Sequence, residues 1–170
     1  MELKKITRLS MLLALSIVLN LIESFIPFFN GYIPGLKLGL ANSITLLVLY
    51  IYSFKDALSM SILRVFLVGI LRTGLFSIPF FFSLGGGLLS IIMMFFIKKI
   101  TNLSIIGISI VGSLFHSIGQ IIMAILLLNN INMVYYLPWL LIFSVPTGII
   151  TGLVSKELIK YFKQTEDKIN

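Results

Sequence analysis

The sequence predicts an all-α integral membrane protein in which six transmembrane helices form one bundle, a single domain over residues 1–170. Hydrophobic residues make up 58% of the chain and charged residues only 11%, whereas soluble domains carry about a quarter charged residues. The mean hydropathy is +1.09. Apolar runs long enough to cross a bilayer recur along the chain, separated by short polar breaks.

Each predicted helix ends at a polar or turn-forming stretch such as SFKDA, RTG, KKITN or NNIN. The stretch 57–97 would make about 60 Å of helix, which is two crossings rather than one. We place the turn between these two crossings at RTG, residues 72–74, with Ser77-Ile78-Pro79 as the alternative. The predicted helices cover residues 9–29, 36–52, 57–72, 75–97, 103–128 and 134–153.

The distribution of lysine and arginine predicts the orientation in the membrane. With six crossings, both tails and the loops after the second and fourth helices share one side and hold most of the basic residues. Because cytoplasmic flanks are rich in these residues, we expect a multi-pass cell-membrane protein with both termini in the cytoplasm. Orientation thus explains the net charge of +7 without a nucleic-acid partner. The first apolar run outlasts a signal-peptide core, so we expect it to be retained.

Charged and polar residues inside the apolar runs indicate a binding site. A charged side chain at mid-bilayer costs about 2.5–3.5 kcal/mol, so such residues usually face the bundle interior or a wet cavity. The helical rise places Arg64 near mid-membrane and the others in the outer half. Because three of the four charges are positive, an outward-opening cavity of this kind would favour an anionic group. The predicted substrate-binding residues are Glu23, Lys37, Asn42, Arg64, Arg72, His116 and Gln120.

Each of these residues also has a structural interpretation. Glu23 could pair with a cation of another helix and hold the bundle together. Lys37 and Arg72 could be anchors whose side chains reach the lipid headgroups. His116 and Gln120 share a helix face at i and i+4 and could form interhelical hydrogen bonds. The chain has one histidine and no cysteine, so we predict no metal site.

Three further stretches are rich in glycine or small residues. LGGGLLS, residues 84–90, indicates either close helix packing or an opened backbone that lines the cavity. FFNGYIPGLKLG, residues 28–39, contains two strong turn signals and is interpreted as a lid or ligand loop, with a rigid connector as the alternative. The Ser10-x-x-x-Ala14 pair on the first helix predicts a groove for a partner helix.

Four of these stretches together resemble one family of membrane proteins. IPGLKLGLAN at 33–42, SILRVFL at 61–67, SLGGGLLS at 83–90 and HSIGQ at 116–120 resemble the family labelled heptaprenyl diphosphate synthase component I, also called the Gx transporter family. That family is similar to the S components of energy-coupling-factor (ECF) vitamin transporters. Those are six-helix proteins that capture a small molecule from outside, under the loop joining their first two helices.

The resemblance implies partners and leaves the function open. An S component works with a membrane coupling protein and two ATPases, and Ser10 and Ala14 match its docking face. The first hypothesis is uptake, in which the chain captures a small anionic, isoprenoid or vitamin-like molecule. The second is a membrane component of heptaprenyl diphosphate synthesis, and the third is an accessory scaffold of a flavin-linked electron-transfer system.

Missing motifs bear on these hypotheses. Prenyl synthases of the usual type hold magnesium diphosphates with aspartate-rich DDxxD pairs, whereas the aspartates here are the isolated Asp56 and Asp167. We therefore expect no prenyl transfer by this chain alone, although the family label names a synthase. There is no Walker A motif, so any ATP hydrolysis belongs to partners, and we predict no cofactor.

Overall fold

The computed structural model describes residues 2–25 and 39–169, and this part of the chain is all-helical. A π-helical turn, Gly69–Thr73, follows the third α-helix, and a 3-10 helix, Ile131–Tyr136, leads into the sixth. The six α-helices are α1 Glu2–Phe25, α2 Leu40–Ile51, α3 Phe54–Val68, α4 Ile78–Ile100, α5 Ile105–Leu128 and α6 Leu137–Ile169. The predicted order of six helices is therefore found within the described ranges.

Four helical segments are long and apolar enough to cross a membrane. They are Leu3–Ser24, Ile78–Ile100, Ile105–Leu128 and Ile131–Gln164. The remaining two helices are shorter, with 12 residues in α2 and 15 in α3. At the α-helical rise α2 covers about 18 Å, less than the ~30 Å of a hydrocarbon core. Length and composition thus support a membrane protein with four spans, and crossings by α2 and α3 stay a prediction.

The break between α3 and α4 combines features of both predicted turns. Gly74, the last residue of RTG, has a φ of +83°, which favours glycine, and it ends the π-helical turn. Ser77 then caps α4 by accepting a hydrogen bond from the Phe80 N–H at 3.4 Å. Pro79 lies in the first turn of α4, where its missing N–H costs nothing. The connection therefore occupies residues 74–77, between the two predicted positions.

Glycines allow α4 and α5 to pack with their backbones in contact. A Cβ atom on Gly119 would lie 2.5 Å from the carbonyl oxygen of Gly85, and one on Gly86 would lie 2.9 Å from that of His116. Real Cβ contacts are not this short, so larger residues would push the helices apart. Because α4 continues without interruption through the GGG stretch, these glycines serve close packing and do not open the backbone.

Hydroxyl groups join α5 to α6. The Ser109 and Thr151 hydroxyls lie 2.8 Å apart, and those of Ser117 and Ser144 lie 2.6 Å apart. The Ser113 hydroxyl donates to the carbonyl oxygen of Ser144 at 2.6 Å. Small residues and interhelical hydrogen bonds hold helices together where lipid provides no hydrophobic driving force. The polar contacts follow α5 along much of its length.

An apolar core closes the end of the bundle where α2 connects to α3 and α4 connects to α5. Its buried residues come from the ends of α2 and α4, the starts of α3 and α5, and nearby positions on α1 and α6. They include Leu12, Val48, Ala57, Ile91, Ile108 and Ile159. The core fills this end of the bundle, so that the polar interior described below lies toward the opposite end.

At the same end, Asp56 joins α1 to the start of α3. Its carboxylate accepts a hydrogen bond from the Ser53 N–H at 3.1 Å, within a capping box, and lies 2.8 Å from the ammonium group of Lys5. Hydrogen bonds from Lys5 and Ser53 lower the pKa of Asp56, which precedes the apolar part of α3. The charged carboxylate is therefore the form that stabilises the fold.

We expect Asp56→Ala to lower the free energy of unfolding by about 1 kcal/mol at neutral pH, because it removes the helix cap and the ion pair. Since folding lowers the pKa of Asp56, this contribution is complete above its unfolded pKa of about 4 and is lost as the pH falls through the folded value. Thermal unfolding in detergent measures it, with exposed Lys55→Ala as control. Equal melting of wild type and Asp56→Ala at neutral pH would contradict this role.

Candidate functional site

An elongated cavity lies between the helices, and residues of all six α-helices line it. Along α5 the lining runs from Ser109 to Gln120, about 16 Å of helix. Water-sized molecules could occupy about 60 Å³ of this space, which is room for several waters. Most of the lining side chains are polar, which is unusual for the interior of so apolar a chain.

Five of the seven predicted substrate-binding residues line this one cavity. They lie on α1, α2, α3 and α5, and the bundle brings them together from distant parts of the sequence. The five are Glu23, Asn42, Arg64, His116 and Gln120. The predicted gathering of ionic and amide side chains is present, and their contact with a ligand stays a prediction.

Arg64 is the buried cation of this cavity, with only 4% of its surface exposed. One guanidinium nitrogen donates to Asn42 Oδ1 at 3.0 Å, and another donates to Thr45 Oγ1 at 3.4 Å. Both acceptors are neutral, so they orient the guanidinium without cancelling its charge, and Glu23 attracts it electrostatically. These two hydrogen bonds occupy two of the five N–H donors of an arginine.

Glu23 holds the start of α2 in place. Its carboxylate, 6% exposed, accepts a hydrogen bond from the backbone N–H of Gly39, the residue before α2. A negative charge beside the N-terminus of a helix is favourable because the first N–H groups have no partner within the helix. The structural interpretation of Glu23 therefore has a basis, both in this bond to a backbone group and in its electrostatic attraction to Arg64.

His116 and Gln120 border the cavity from α5. The imidazole of His116 lies against Gly86, where an added Cβ atom would come within 2.9 Å of its Cε1 atom. The GGG stretch of α4 thus provides room for the histidine ring at the cavity wall. Gln120, one turn further along α5, is 6% exposed. The structure places both side chains where the i, i+4 spacing predicted them, on one face of the helix.

The remaining predicted residues are Arg72, Lys37 and the pair on α1. Arg72 is exposed and outside the cavity lining, where its guanidinium donates to the carbonyl oxygen of Ser24 at 3.3 Å. Lys37 and nearly all of the predicted lid fall within residues 26–38, outside the described residues. Ser10 and Ala14 are exposed on α1, as a docking surface requires.

The cavity also contains polar residues that the sequence reasoning missed. Asn20 precedes Glu23 by one turn of α1, and Ser90 lies deep in α4. Hydroxyl residues recur on one face of α6 at spacings of three and four, which is the signal that could have revealed them. These are Ser144, Thr147, Thr151 and Ser155, the first three of which line the cavity.

The chemistry of the site is that of a binding pocket for a polar molecule. Within residues 2–25 and 39–169 there is no group of three His, Asp or Glu residues that could hold a metal ion. The side chains present one buried guanidinium, one carboxylate, amides and hydroxyls. Such a set can hold an anionic group by charge-assisted hydrogen bonds and orient its neighbours by neutral ones.

Comparison with known proteins gives one match. A family model described as heptaprenyl diphosphate synthase component I matches residues 12–158 of the chain. The matched range includes every residue that lines the cavity. Neither a curated protein nor a solved structure matches the chain.

Proposed function

The chain belongs to the heptaprenyl diphosphate synthase component I family, and from this we infer that it is the membrane-embedded, ligand-binding subunit of a larger assembly. The description of the family as a component implies partner proteins. We propose that the subunit captures a small anionic molecule from the outer face of the cell membrane for uptake, as ECF S components do. The polar cavity is the binding site in this proposal.

The observation that carries this proposal is the environment of Arg64. A guanidinium that is 4% exposed inside an apolar bundle is costly unless it has partners. Here its hydrogen-bond partners are the neutral side chains of Asn42 and Thr45, Glu23 attracts it electrostatically, and three of its five N–H donors remain for a ligand in the cavity that it borders. An anionic group in the cavity would complete the coordination of Arg64, which supports a binding role over a purely structural one.

We further propose that all six α-helices take part in crossing the membrane. The short α2 does so inside the bundle, since most of its residues are buried among the other helices. The apolar part of α3 with its π-helical turn, residues 57–73, is about 17 residues long, which is the lower end of the range for a membrane crossing. In this arrangement the basic loops and both tails face the cytoplasm. Tyr135, Tyr136 and Trp139 are exposed at the other end, where an outer aromatic belt would lie.

Cysteine labelling tests this topology, because the chain has no cysteine of its own. Asn130→Cys lies in the exposed connection after α5, and Asn102→Cys in the one before it. In intact cells a membrane-impermeant maleimide is expected to label Asn130→Cys and not Asn102→Cys, which reacts only after permeabilisation. The cysteine-free parent is the control, and the reverse pattern would overturn the orientation.

We also propose that the chain docks on a partner protein through α1. Ser10 and Ala14 share an exposed face of α1 with Met11, which is 69% exposed, so a partner helix could approach closely there. A coupling protein with two ATPases would supply the energy for uptake.

The family description favours a second candidate, a membrane component of heptaprenyl diphosphate synthesis. Reconstitution with a soluble synthase partner and labelled isopentenyl diphosphate distinguishes uptake from synthesis, since labelled prenyl products are expected only if the chain is a component of a synthase.

The proposed function is tested by mass spectrometry of the purified protein. Under native conditions the wild type is expected to carry a co-purified anionic small molecule, released on denaturation and identified by its mass. Arg64→Ala is expected to lose it, whereas Lys160→Ala, which removes an exposed charge outside the cavity, is expected to retain it. An empty wild-type protein, or a molecule retained equally by Arg64→Ala, would overturn the proposal.

A further inference from the structure

An amide oxygen and a hydroxyl oxygen that are buried at the cavity have no hydrogen-bond partner among the described residues. They are Oδ1 of Asn20 on α1 and Oγ of Ser90 on α4, and both residues line the cavity. Ser90 is only 2% exposed. Burying a polar atom without a partner costs free energy, so native structures normally provide one from protein, water or ligand. Here the cavity is the place from which a partner can come.

Other hydroxyls of the cavity differ from these two. The hydroxyls of Ser113, Ser144 and Thr147 donate to backbone carbonyl groups of their own helices, and that of Thr151 also lies 2.8 Å from the hydroxyl of Ser109. These bonds are explained by helix packing alone. Packing provides no partner within the described ranges for Asn20 Oδ1 or Ser90 Oγ. A hydrogen-bond partner for these two atoms must therefore come from a molecule in the cavity.

The two atoms lie at different depths. Asn20 is one turn from Glu23, at the end of the cavity where α2 begins. Ser90 follows Ser83, another lining residue, by about 10 Å along α4. A Cβ atom on Gly87 would lie 3.2 Å from Ser61 Oγ, and Ser61 precedes Arg64 by one turn, which places Arg64 at an intermediate depth. A molecule that reached all three residues would be longer than it is wide.

Resting on the proposed function, we propose that Asn20 and Ser90 contact the ligand on either side of Arg64. The ligand is then a slender polar molecule with an anionic group for the guanidinium and at least one N–H or O–H donor for Asn20 Oδ1. The hydroxyl of Ser90 both donates and accepts, so it can pair with either kind of group.

This ligand class differs from a prenyl diphosphate. Ionised diphosphate oxygens only accept hydrogen bonds, so they would leave Asn20 Oδ1 without a donor. A long isoprenoid tail also needs apolar walls, whereas most of the side chains that line this cavity are polar. Of the anions that Arg64 alone would admit, these contacts therefore favour slender molecules that carry hydroxyl or amino groups.

Titration with three probes tests the ligand class. Purified protein is freed of bound molecules, and its thermal stabilisation is measured with inorganic phosphate, glycerol 3-phosphate and geranyl diphosphate. Glycerol 3-phosphate, which adds hydroxyl donors to the phosphate, is expected to bind about five-fold more tightly than phosphate. Geranyl diphosphate is expected to bind no more tightly than phosphate. Tightest binding of geranyl diphosphate would overturn the inference, whereas failure of all three probes would contradict anion capture itself.

Two variants test the named contacts. Asn20→Leu removes the acceptor at similar size, and Ser90→Ala removes the hydroxyl. Each is expected to leave the empty protein as stable as wild type or more stable, because an unpaired polar atom is gone. Glycerol 3-phosphate extends to only one side of Arg64, so at least one of the two variants is expected to abolish its five-fold advantage or reduce it markedly. Ser61→Ala, which alters a serine that is 2% exposed but outside the cavity lining, is the control.

The outcomes separate this inference from the proposed function. If Asn20→Leu and Ser90→Ala gain stability while binding glycerol 3-phosphate as tightly as wild type, the two atoms hold only structural water and the inference is wrong. If the co-purified molecule is identified as a prenyl diphosphate, the inference is wrong although the capture function stands. A co-purified hydroxylated or amino-bearing anion that both variants lose supports it.

Discussion

Arg64→Ala is expected to weaken ligand binding about 100-fold, which corresponds to about 2.7 kcal/mol. A hydrogen bond to a charged partner contributes about 1.5–3 kcal/mol, and the buried site of Arg64 places it at the upper end of that range. The neutral groups that orient it, Asn42 and Thr45, cannot replace its charge. Titration of the purified protein with the molecule it co-purifies with, or with glycerol 3-phosphate, measures the effect.

Arg64→Lys is the informative companion to this variant. It keeps the positive charge but loses the planar fork that bonds Asn42 and Thr45 together, so binding is expected to fall between wild type and Arg64→Ala. Lys160→Ala removes one exposed charge and is expected to bind as wild type does. Undiminished affinity in a folded Arg64→Ala protein would mean that the guanidinium serves only the bundle.

The second large effect is expected from Gly119→Ala. The added Cβ atom would lie 2.5 Å from the carbonyl oxygen of Gly85, a backbone atom that cannot rotate away. Separating α4 from α5 to relieve this contact disturbs the packing along both helices. We expect a loss of about 3 kcal/mol in the free energy of unfolding, at the upper end for overpacked cores.

Gly107→Ala on the same helix is the matched control, since the nearest atom to its added Cβ would be Leu103 Cβ at an ordinary 3.5 Å. Alanine favours a helix over glycine, so this variant is expected to equal wild type or gain up to about 1 kcal/mol. Thermal unfolding in detergent compares the two substitutions. Similar melting of both variants would contradict the close backbone contact between α4 and α5.

The sequence predicted the order of the helices and the cavity cation for one physical reason. A charge within an apolar run must face the bundle interior, so Glu23 and Arg64 were expected in one polar space even though neither sequence distance nor helix length relates them. His116 and Gln120 followed from their i, i+4 spacing. Such arguments depend on the free-energy cost of placing a charge in lipid, and charged residues within apolar runs can be identified directly from the sequence.

Other features depend on the three-dimensional arrangement of the helices and could not be predicted from the cost of burying a charge. One partner of Glu23 is the backbone N–H of Gly39, a residue with no side chain to signal the contact. The connection at residues 74–77 depends on how a π-helical turn ends, and two adjacent turn signals competed for it. Arg72 resembled a cavity residue by depth, but its contact with Ser24 places it at the surface.

The hydroxyl residues were missed because serine and threonine are inconspicuous in membrane helices. Their side chains bond their own backbone at little cost, so no single one demands an explanation. The regular spacing from Ser144 to Ser155 on α6 carried the information, and it becomes meaningful only beside the matching face of α5.

The length of α6 has a practical consequence. Its 33 residues make a rod about 50 Å long, whereas a hydrocarbon core is only about 30 Å thick. If α6 crosses the core once, about 20 Å of this helix must extend beyond it, continuous with the part whose hydroxyls border the cavity. A fluorophore attached at the exposed Lys163, near the end of this helix and outside the cavity lining, would report any tilt of α6 relative to the membrane surface.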